Sequence, residues 1–235
     1  MDLTNEAINA AARTDDGRVL LDELEIRVLA VLGEKEALTP DSYPLSINAL
    51  TNGCNQLSSR DPVMALSETM VLDTLHALMQ KKLVVEVSQA GGRVPKYEHR
   101  MRVKWSLEQD KLAVMLMLML RGSQTGGEIR TRAGRVHEFA AVADVETCLQ
   151  FLMDKYPSLV MRLPRAPGTK EPRFAQLLAG EPEFEQDDSL AASDPGQLSR
   201  PRQDRIGALE TEVARLRTEV DHLTQQFEEF KKQFE

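Results

Sequence analysis

One stretch of this chain occurs twice, at a constant separation of 74 residues. Residues 71–82 read VLDTLHALMQKK and residues 145–156 read VETCLQFLMDKY, so Val, Leu, Leu, Met and Lys recur at equivalent places. The apolar members of this set follow the spacing of one helix face. Because each copy should form the same structural unit, an internal repeat strongly restricts the possible folds. The chain is therefore predicted to contain two similar units in tandem.

The residues around the first copy predict three helices and a two-stranded ribbon. Apolar residues at helical spacing over 21–32 predict a first helix, which Gly33 is expected to end. Ser46 and Ser67 are predicted to cap the next two helices, because a serine oxygen accepts hydrogen bonds from the free N–H groups at a helix start. The predicted ribbon strands, on either side of a Gly-Gly turn, are residues 83–87 and 94–100.

The second unit has the same predicted order of elements. Its predicted helices are residues 107–120, 128–135 and 144–156, and its predicted strands are residues 159–163 and 173–177. Residues 124–127 are expected to form a turn. Three helices followed by strand, turn and strand is the order of the winged form of the helix-turn-helix family. The predicted fold is mainly α with small β wings (α+β): two tandem winged helix-turn-helix domains plus a C-terminal coiled-coil helix.

Composition divides the chain into five predicted segments. Residues 181–195 carry six acidic residues and no basic ones, which favours a disordered linker because little surface can be buried. The N-terminal residues are polar with scattered Ala and are expected to form a loose arm. The predicted segments are a flexible N-terminal arm (1–17), a first winged-helix domain (18–105), a second winged-helix domain (106–180), an acidic disordered linker (181–203) and a coiled-coil helix (204–235).

The C-terminal segment carries an unbroken heptad seam. Apolar residues step alternately by three and four positions from Ile206 to Phe234, which is the repeat of a coiled coil. β-branched residues at the first a positions with Leu at the d positions favour a parallel dimer. The alternative is a helix that folds back on its own body. The residues predicted to dimerise are Ile206, Leu209, Val213, Leu216, Val220, Leu223, Phe227 and Phe230.

Basic residues are concentrated in the central part of the chain. The formal net charge is −8, yet residues 60–180 carry 18 basic and 13 acidic residues, a local net charge of +5. In a winged helix the wing lies along the DNA backbone, so basic wing residues would neutralise phosphates. The structural alternative is that Lys and Arg keep exposed hairpins soluble, and that Asp61 pairs with Arg60. The candidate phosphate contacts are Arg93, Lys96, Arg100, Arg165, Lys170, Arg173, Arg60, Arg130, Arg132 and Arg135.

No sequence motif for catalysis, cofactor binding or metal binding is found. The chain has neither the glycine-rich phosphate loop nor the dinucleotide-binding fingerprint, and its four histidines are dispersed. Cys54 and Cys148 are each expected to pack as a small apolar residue, since two distant cysteines predict neither a disulfide framework nor a metal site. We therefore expect a non-enzymatic protein without cofactor or metal.

No segment predicts a membrane span or a secretion signal. Residues 1–16 lack the basic leader and apolar run of a signal peptide. The most apolar stretch, LAVMLMLML at 112–120, has nine residues, well below the roughly 20 needed to cross a bilayer. This stretch is predicted to form a core helix, and the chain is predicted to be cytoplasmic and not associated with a membrane.

Three segments resemble one bacterial family. They read YPLSINALTNGCNQLSSRDPVMALSE at 43–68, RGSQTGGEIRTRAGR at 121–135 and LPRAPGTKEPRFAQLLAG at 163–180. Together they resemble the YceH-type family, also designated DUF480 and UPF0502, whose function is uncharacterised. The resemblance covers about residues 20–180 and implies two tandem winged-helix domains. It implies no catalytic or ligand-binding residue.

The preferred functional hypothesis is a DNA-associated transcriptional regulator that binds duplex phosphates through its wings and a second copy through its coil. Base reading by the third helices is not expected, because they carry acids such as Asp73 and Glu146 instead of the cations that read purines. The alternative is a dimeric protein-interaction scaffold without direct DNA binding, similar to accessory subunits of the bacterial chromosome-condensation complex. A third hypothesis, a ligand-sensing regulator, has no sequence signal.

Overall fold

Two successive sets of helices, each followed by antiparallel strands, make up the described part of the chain. The computed structural model describes residues 17–87, 94–164 and 171–182, all within one compact unit. The first half contains α1 (Glu23–Leu38), α2 (Ile47–Cys54), α3 (Glu68–Gln80), β1 (Val84–Val87) and β2 (Lys96–His99), with a 3₁₀ turn at Pro40–Ser42. The second half contains α4 (Met101–Trp105), α5 (Gln109–Arg121), β3 (Gln124–Thr125), α6 (Gly126–Ala133), α7 (Val142–Met153), β4 (Val160–Arg162) and β5 (Arg173–Gln176). The predicted α+β class is confirmed.

The repeated stretch forms α3 in the first half and α7 in the second. The fully buried pairs, each separated by 74 residues, are Val71 and Val145, Leu75 and Leu149, and Leu78 and Leu152. After each helix the N–H of a leucine before the strand donates to the carbonyl of the equivalent helix leucine: Leu83 to Leu78, and Leu159 to Leu152, in a turn that is two residues longer. The repeat in the sequence therefore corresponds to a repeat in packing.

Helices α1 and α5 pack against each other at the centre of this unit. Helices α2 and α3 pack on α1, and helices α6 and α7 pack on α5, so one continuous apolar core serves both halves. Every residue from Leu112 to Leu120 is buried, as a helix that is apolar on all sides should be. The predicted core helix is confirmed, and none of the helices in the described ranges is long and apolar enough to span a membrane.

Helix α1 does not end at Gly33, contrary to the prediction, but continues to Leu38. The glycine lies where α1 meets the second half. A Cβ at this position would be 2.6 Å from Cε of Met101 and 2.8 Å from Cδ2 of Leu116. Gly33 therefore permits close packing between elements and does not act as a helix terminator.

The strands form two small antiparallel sheets. Strand β1 pairs with β2, and Leu45, just before α2, adds an isolated bridge to Tyr97 of β2. In the second half the order is β3–β5–β4, with Gln124 opposite Phe174. In both halves the residue that leads into the second helix thus pairs with the returning strand. The expected turn at 124–127 is instead a short strand followed by the start of α6.

Side chains cap the helices largely as expected. Ser46 accepts from the N–H of Ala49, and Ser67 accepts from the N–H of Met70, which confirms both predicted caps. Helix α6 begins two residues before its predicted start because Thr125 caps it. The short helix α4, which joins the two halves, was not predicted.

Candidate nucleic-acid interface

The predicted phosphate-binding residues divide into those that the structure describes and those outside it. Arg93, Arg165 and Lys170 lie outside the described residues, in the segments that join the two strands of each ribbon. Lys96 is the first residue of β2, and Arg173 is the first residue of β5. Both described cations therefore lie at the turn ends of their ribbons.

Arg173 and Arg132 are both held by Glu128, near the start of α6. The Nη2 atom of Arg173 lies 3.1 Å from Oε2 of Glu128 and 2.6 Å from the carbonyl oxygen of Ser123. Arg132 lies 3.8 Å from Oε1 of the same carboxylate and donates to the side-chain oxygen of Gln124 at 2.8 Å. Glu128 also completes the helix cap with Thr125. One carboxylate therefore offsets part of the positive charge of both arginines.

The remaining exposed cations differ in how much of their charge is used internally. Arg130 donates to the carbonyl oxygens of Phe139 and Ala140, so it supports the connection between α6 and α7. Arg100 lies 3.1 Å from Glu98 on the same ribbon. Of the predicted phosphate contacts that the structure describes, Lys96 and Arg135 have no ion-pair partner among the described residues, and these two are the most available to phosphate.

Arg60 is buried and does not belong to a basic surface. Its side chain is 0% exposed, and its Nη2 lies 2.6 Å from Oε2 of Glu34. A second guanidinium nitrogen binds the other oxygen of Glu34, and further bonds reach the carbonyl of Gly53 and the side chain of Gln56. Its carboxylate partner is thus Glu34 on α1 and not its neighbour Asp61. Because its donors are used internally, Arg60 is unavailable to phosphate and stabilises the interior instead.

The exposed surfaces of the third helices are mostly acidic or neutral. On α3 the exposed polar side chains include Glu68, Asp73 and His76. On α7 they include Asp144 and Glu146. A phosphate backbone would be repelled by this arrangement.

The two cysteines are buried thiols without reactive surroundings. Burial raises the pKa of Cys54 and of Cys148 to about 12. Both thiols are therefore protonated at neutral pH, and a protonated thiol is a poor nucleophile and metal ligand. The Sγ of Cys148 donates to Asp110 at 3.4 Å. Within the described ranges no group of three or more His, Cys, Asp and Glu side chains is placed to hold a metal ion.

Comparison with known proteins places the chain in a family. The model for "Protein of unknown function, DUF480" matches residues 21–169. The chain belongs to the DUF480 family. A UPF0502 protein of Janthinobacterium sp. (strain Marseille) is 63% identical to it over 99% of this chain and 100% of its own length. UPF0502 proteins of Herminiimonas arsenicoxydans (59% identity; 99% of this chain, 100% of its own) and Geobacter sulfurreducens (49%; 92% and 99%) are also similar.

In this DUF480 protein, the segment 43–68, which carried part of the resemblance, contains a loop at residues 55–66 that buried side chains hold in place. This loop is called the anchored loop below. Buried Arg27 donates to the carbonyls of Cys54 and Pro62, and the side chain of Asn55 bonds both the N–H and the carbonyl of Leu66. Sequence reasoning missed Arg27 and Glu34. The available signal was that Arg27 and Glu34 lie beside the apolar run 28–32 of α1, because charges that are buried with such a run require partners.

The anchored loop presents apolar side chains to solvent. Leu57 is 85% exposed and Val63 is 53% exposed, although the loop backbone is fixed by buried arginines. Met70, on the following helix, is 42% exposed. Exposed apolar side chains mark protein-interaction surfaces where they form a contiguous patch.

The predicted dimerisation residues of this DUF480 protein lie outside the described residues. They are Ile206, Leu209, Val213, Leu216, Val220, Leu223, Phe227 and Phe230. Self-association through them stays a prediction.

Proposed function

We propose that this protein is a non-enzymatic, DNA-associated regulator that binds duplex phosphates through its two ribbons. One observation carries the proposal. In both halves a two-stranded ribbon follows the third helix, and its returning strand begins with a cation, Lys96 in β2 and Arg173 in β5. The sequence adds Arg93, Arg165 and Lys170 between the strands. Two cationic ribbons on one chain would bind the backbone at two points.

The ribbons and not the helices are the proposed contact because of the charge on each surface. Asp73 on α3 and Glu146 on α7 are exposed and would repel phosphate. Of the arginines outside the ribbons, Arg130 donates to two backbone carbonyl oxygens and Arg60 is buried. The proposed binding is therefore mainly independent of base sequence, since backbone contacts position a protein but do not read bases.

A salt titration tests this proposal. Affinity for a fluorescent random-sequence duplex is measured at several salt concentrations for the unmodified chain and for a variant with Arg93, Lys96, Arg165 and Lys170 each changed to Glu. Loss of each phosphate contact is expected to lower the slope of log affinity against log salt by about one. The variant should bind much more weakly at low salt.

Lys82 is exposed and lies at the opposite end of the first ribbon from the turn, so Lys82→Glu should leave the slope unchanged. Unchanged affinity in the ribbon variant would overturn the proposal. So would an equal loss in Lys82→Glu, because the effect would then reflect only net charge.

A second candidate function is a protein-interaction scaffold without DNA contact. The anchored loop favours it, because Leu57 and Val63 are exposed on a fixed backbone. The double variant Leu57→Ser, Val63→Ser should release a protein partner that the unmodified chain co-purifies with. Val103→Ser, which alters a valine that is 75% exposed on α4, should retain that partner. Retention by both variants would count against this function.

A further inference from the structure

We infer that a cavity at the junction of the two halves binds a nucleotide, that is, a ligand with an aromatic base and a phosphate. The cavity has a volume of about 450 Å³. Three chain segments surround it: residues 17–19 before α1, residues 104–106 at the end of α4, and residues 155–159 after α7, with Leu178 completing the wall. The volume lies within the range of about 300–1,000 Å³ that is usual for small-molecule sites.

The lining of this cavity combines cations with aromatic rings. Lys104, Lys155 and Arg18 line it together with Trp105 and Tyr156, and its described lining includes no acidic residue. Tyr156 is 87% exposed, so its ring is available to a ligand. Aromatic rings stack on nucleobases, and lysines bind phosphate oxygens. The lining therefore has one group of residues for each part of a nucleotide.

Comparison of the two repeats explains why Lys155 is available to an external anion. Its equivalent in the first half, Lys81, is satisfied internally: its Nζ lies 2.6 Å from Glu25 and 2.9 Å from the carbonyl oxygen of Leu20. Glu25 is the third residue after the N-cap of α1. The same position on α5, after the N-cap Glu108, is Lys111.

The replacement of a carboxylate by Lys111 leaves the second repeat without the internal partner that the first repeat has. Within the described ranges Lys155 has no carboxylate partner, and its Nζ lies 4.8 Å from the ring centre of Phe151. Lys111 itself is paired with Glu108 and Asp110. Among the described residues Lys155 therefore lacks the carboxylate that Lys81 has, and it lines the cavity, where it can bind a phosphate.

The ring of Trp105 provides a direct measurement, because it is the single tryptophan of the chain. Its emission, excited at wavelengths where nucleobases absorb little, is followed while adenosine 5′-monophosphate is added to the full-length protein. We expect saturable quenching. Adenosine and inorganic phosphate should each bind at least about tenfold more weakly than the nucleotide, because each lacks one of the two recognised groups.

Substitutions at the two kinds of lining residue separate binding from folding. Tyr156→Ala and Lys155→Met should each weaken binding about tenfold, whereas Tyr156→Phe, which keeps the ring, should bind within twofold of the unmodified chain. Lys82→Met removes an exposed lysine outside the cavity and should have no effect. Thermal unfolding of each variant shows that the fold is intact.

A third titration, with a short single-stranded oligoadenylate, distinguishes a free nucleotide from a nucleotide within a strand. Tighter binding of the strand than of the mononucleotide assigns the cavity to a nucleotide within a strand, and the reverse order assigns it to a free nucleotide. Either order supports the inference. No saturable response to either probe, or equal affinity for adenosine and its monophosphate, overturns it. Because duplex binding by the ribbons is measured separately, failure of that proposal leaves this result unaffected.

Discussion

At the scale of single residues, the two buried arginines of the first half both have hydrogen-bond partners inside the protein. Arg60 binds both oxygens of Glu34, and Arg27 binds two carbonyl oxygens next to the anchored loop. Guanidinium is the side-chain group best suited to such sites, because its donors lie in a fixed plane. The anchored loop therefore depends on two arginines that a surface-charge analysis of the sequence would count as exposed.

Removal of Arg60 should destabilise the protein and leave the charge of its surface unchanged, because the side chain is buried. Arg60→Ala removes both guanidinium bonds from buried Glu34 and leaves it only Lys35, at 3.6 Å, as an ion-pair partner. The free energy of unfolding should therefore fall by about 3–5 kcal/mol in urea titrations. Arg135→Ala, which removes an exposed arginine, should change it by less than about 0.5 kcal/mol. A similar small change in both variants would mean that the pair of Arg60 and Glu34 contributes little to the free energy of unfolding.

A second residue-scale prediction concerns acid stability. The side-chain contact with His99, and then that with Arg102, hold the pKa of Glu36 below its ordinary value of 4.5. A lowered pKa in the folded state contributes stability above the unfolded-state pKa, and this contribution is lost as the pH falls through the folded-state pKa. Glu36→Gln should thus cost about 1 kcal/mol or less at pH 7, since the group is partly exposed, and less still below pH of about 4.

The check on this prediction is a set of urea titrations across the acid range. Glu138→Gln alters an exposed glutamate with no ion pair among the described residues. The difference in its free energy of unfolding from the unmodified protein should not shrink as the pH falls. A difference for Glu36→Gln that stays constant with pH would contradict the assignment to ionisation.

At the scale of elements, the contact between α1 and α5 joins the two repeats. Gly33 of α1 faces Met101 and Leu116, with room for no side chain between them. The cost of a glycine in a helix, about 1 kcal/mol relative to alanine, is offset by the close packing it allows. The same contact covers one side of the apolar run of α5, and helices α6 and α7 pack on other sides of it.

Gly33→Ala should therefore destabilise the protein although alanine favours helices. Overpacking typically costs about 1–3 kcal/mol, and helix propensity returns about 1 kcal/mol, so a net loss of up to about 2 kcal/mol is expected in chemical denaturation. Gly134→Ala is the matched control. A Cβ there meets nothing within 4 Å, and its φ of −52° suits any residue, so its effect should be neutral or stabilising. Stabilisation by both alanines would contradict the packing argument.

At the scale of the whole molecule, the proposed functions need more than one contact point. Each ribbon offers few cations, so two ribbons on each chain and a second chain through the heptad seam would raise the effective concentration at a duplex. The proposed nucleotide cavity lies at the junction between the repeats, where residues from both halves contribute. A nucleotide bound in this cavity would contact both halves of the unit.

Self-association through the heptad seam is tested with the full chain. Leu216→Pro should abolish the dimer in analytical ultracentrifugation, because proline interrupts a helix. Leu216→Glu, which places a charge in the seam, should do the same, whereas Arg215→Glu, outside the seam, should leave the dimer intact. A dimer that survives both changes at Leu216 would have its interface elsewhere.

What the sequence determined by itself are the features that depend on neighbours along the chain. The repeat at 71–82 and 145–156, the serine caps and the buried run 112–120 follow from helical spacing and from hydrogen bonds over three or four residues. The family resemblance is of the same kind, since it rests on contiguous segments.

Only the tertiary structure decided the features that depend on distant partners. Gly33 continues a helix because Met101 and Leu116 approach it, and Arg60 is interior because Glu34 lies opposite it. Among the described residues, Lys81 has a carboxylate partner and its repeat equivalent Lys155 has none, although the two stretches look alike in sequence. The physical reason is that packing and charge pairing depend on which side chains are in contact, and sequence spacing does not specify contacts between residues far apart in the chain.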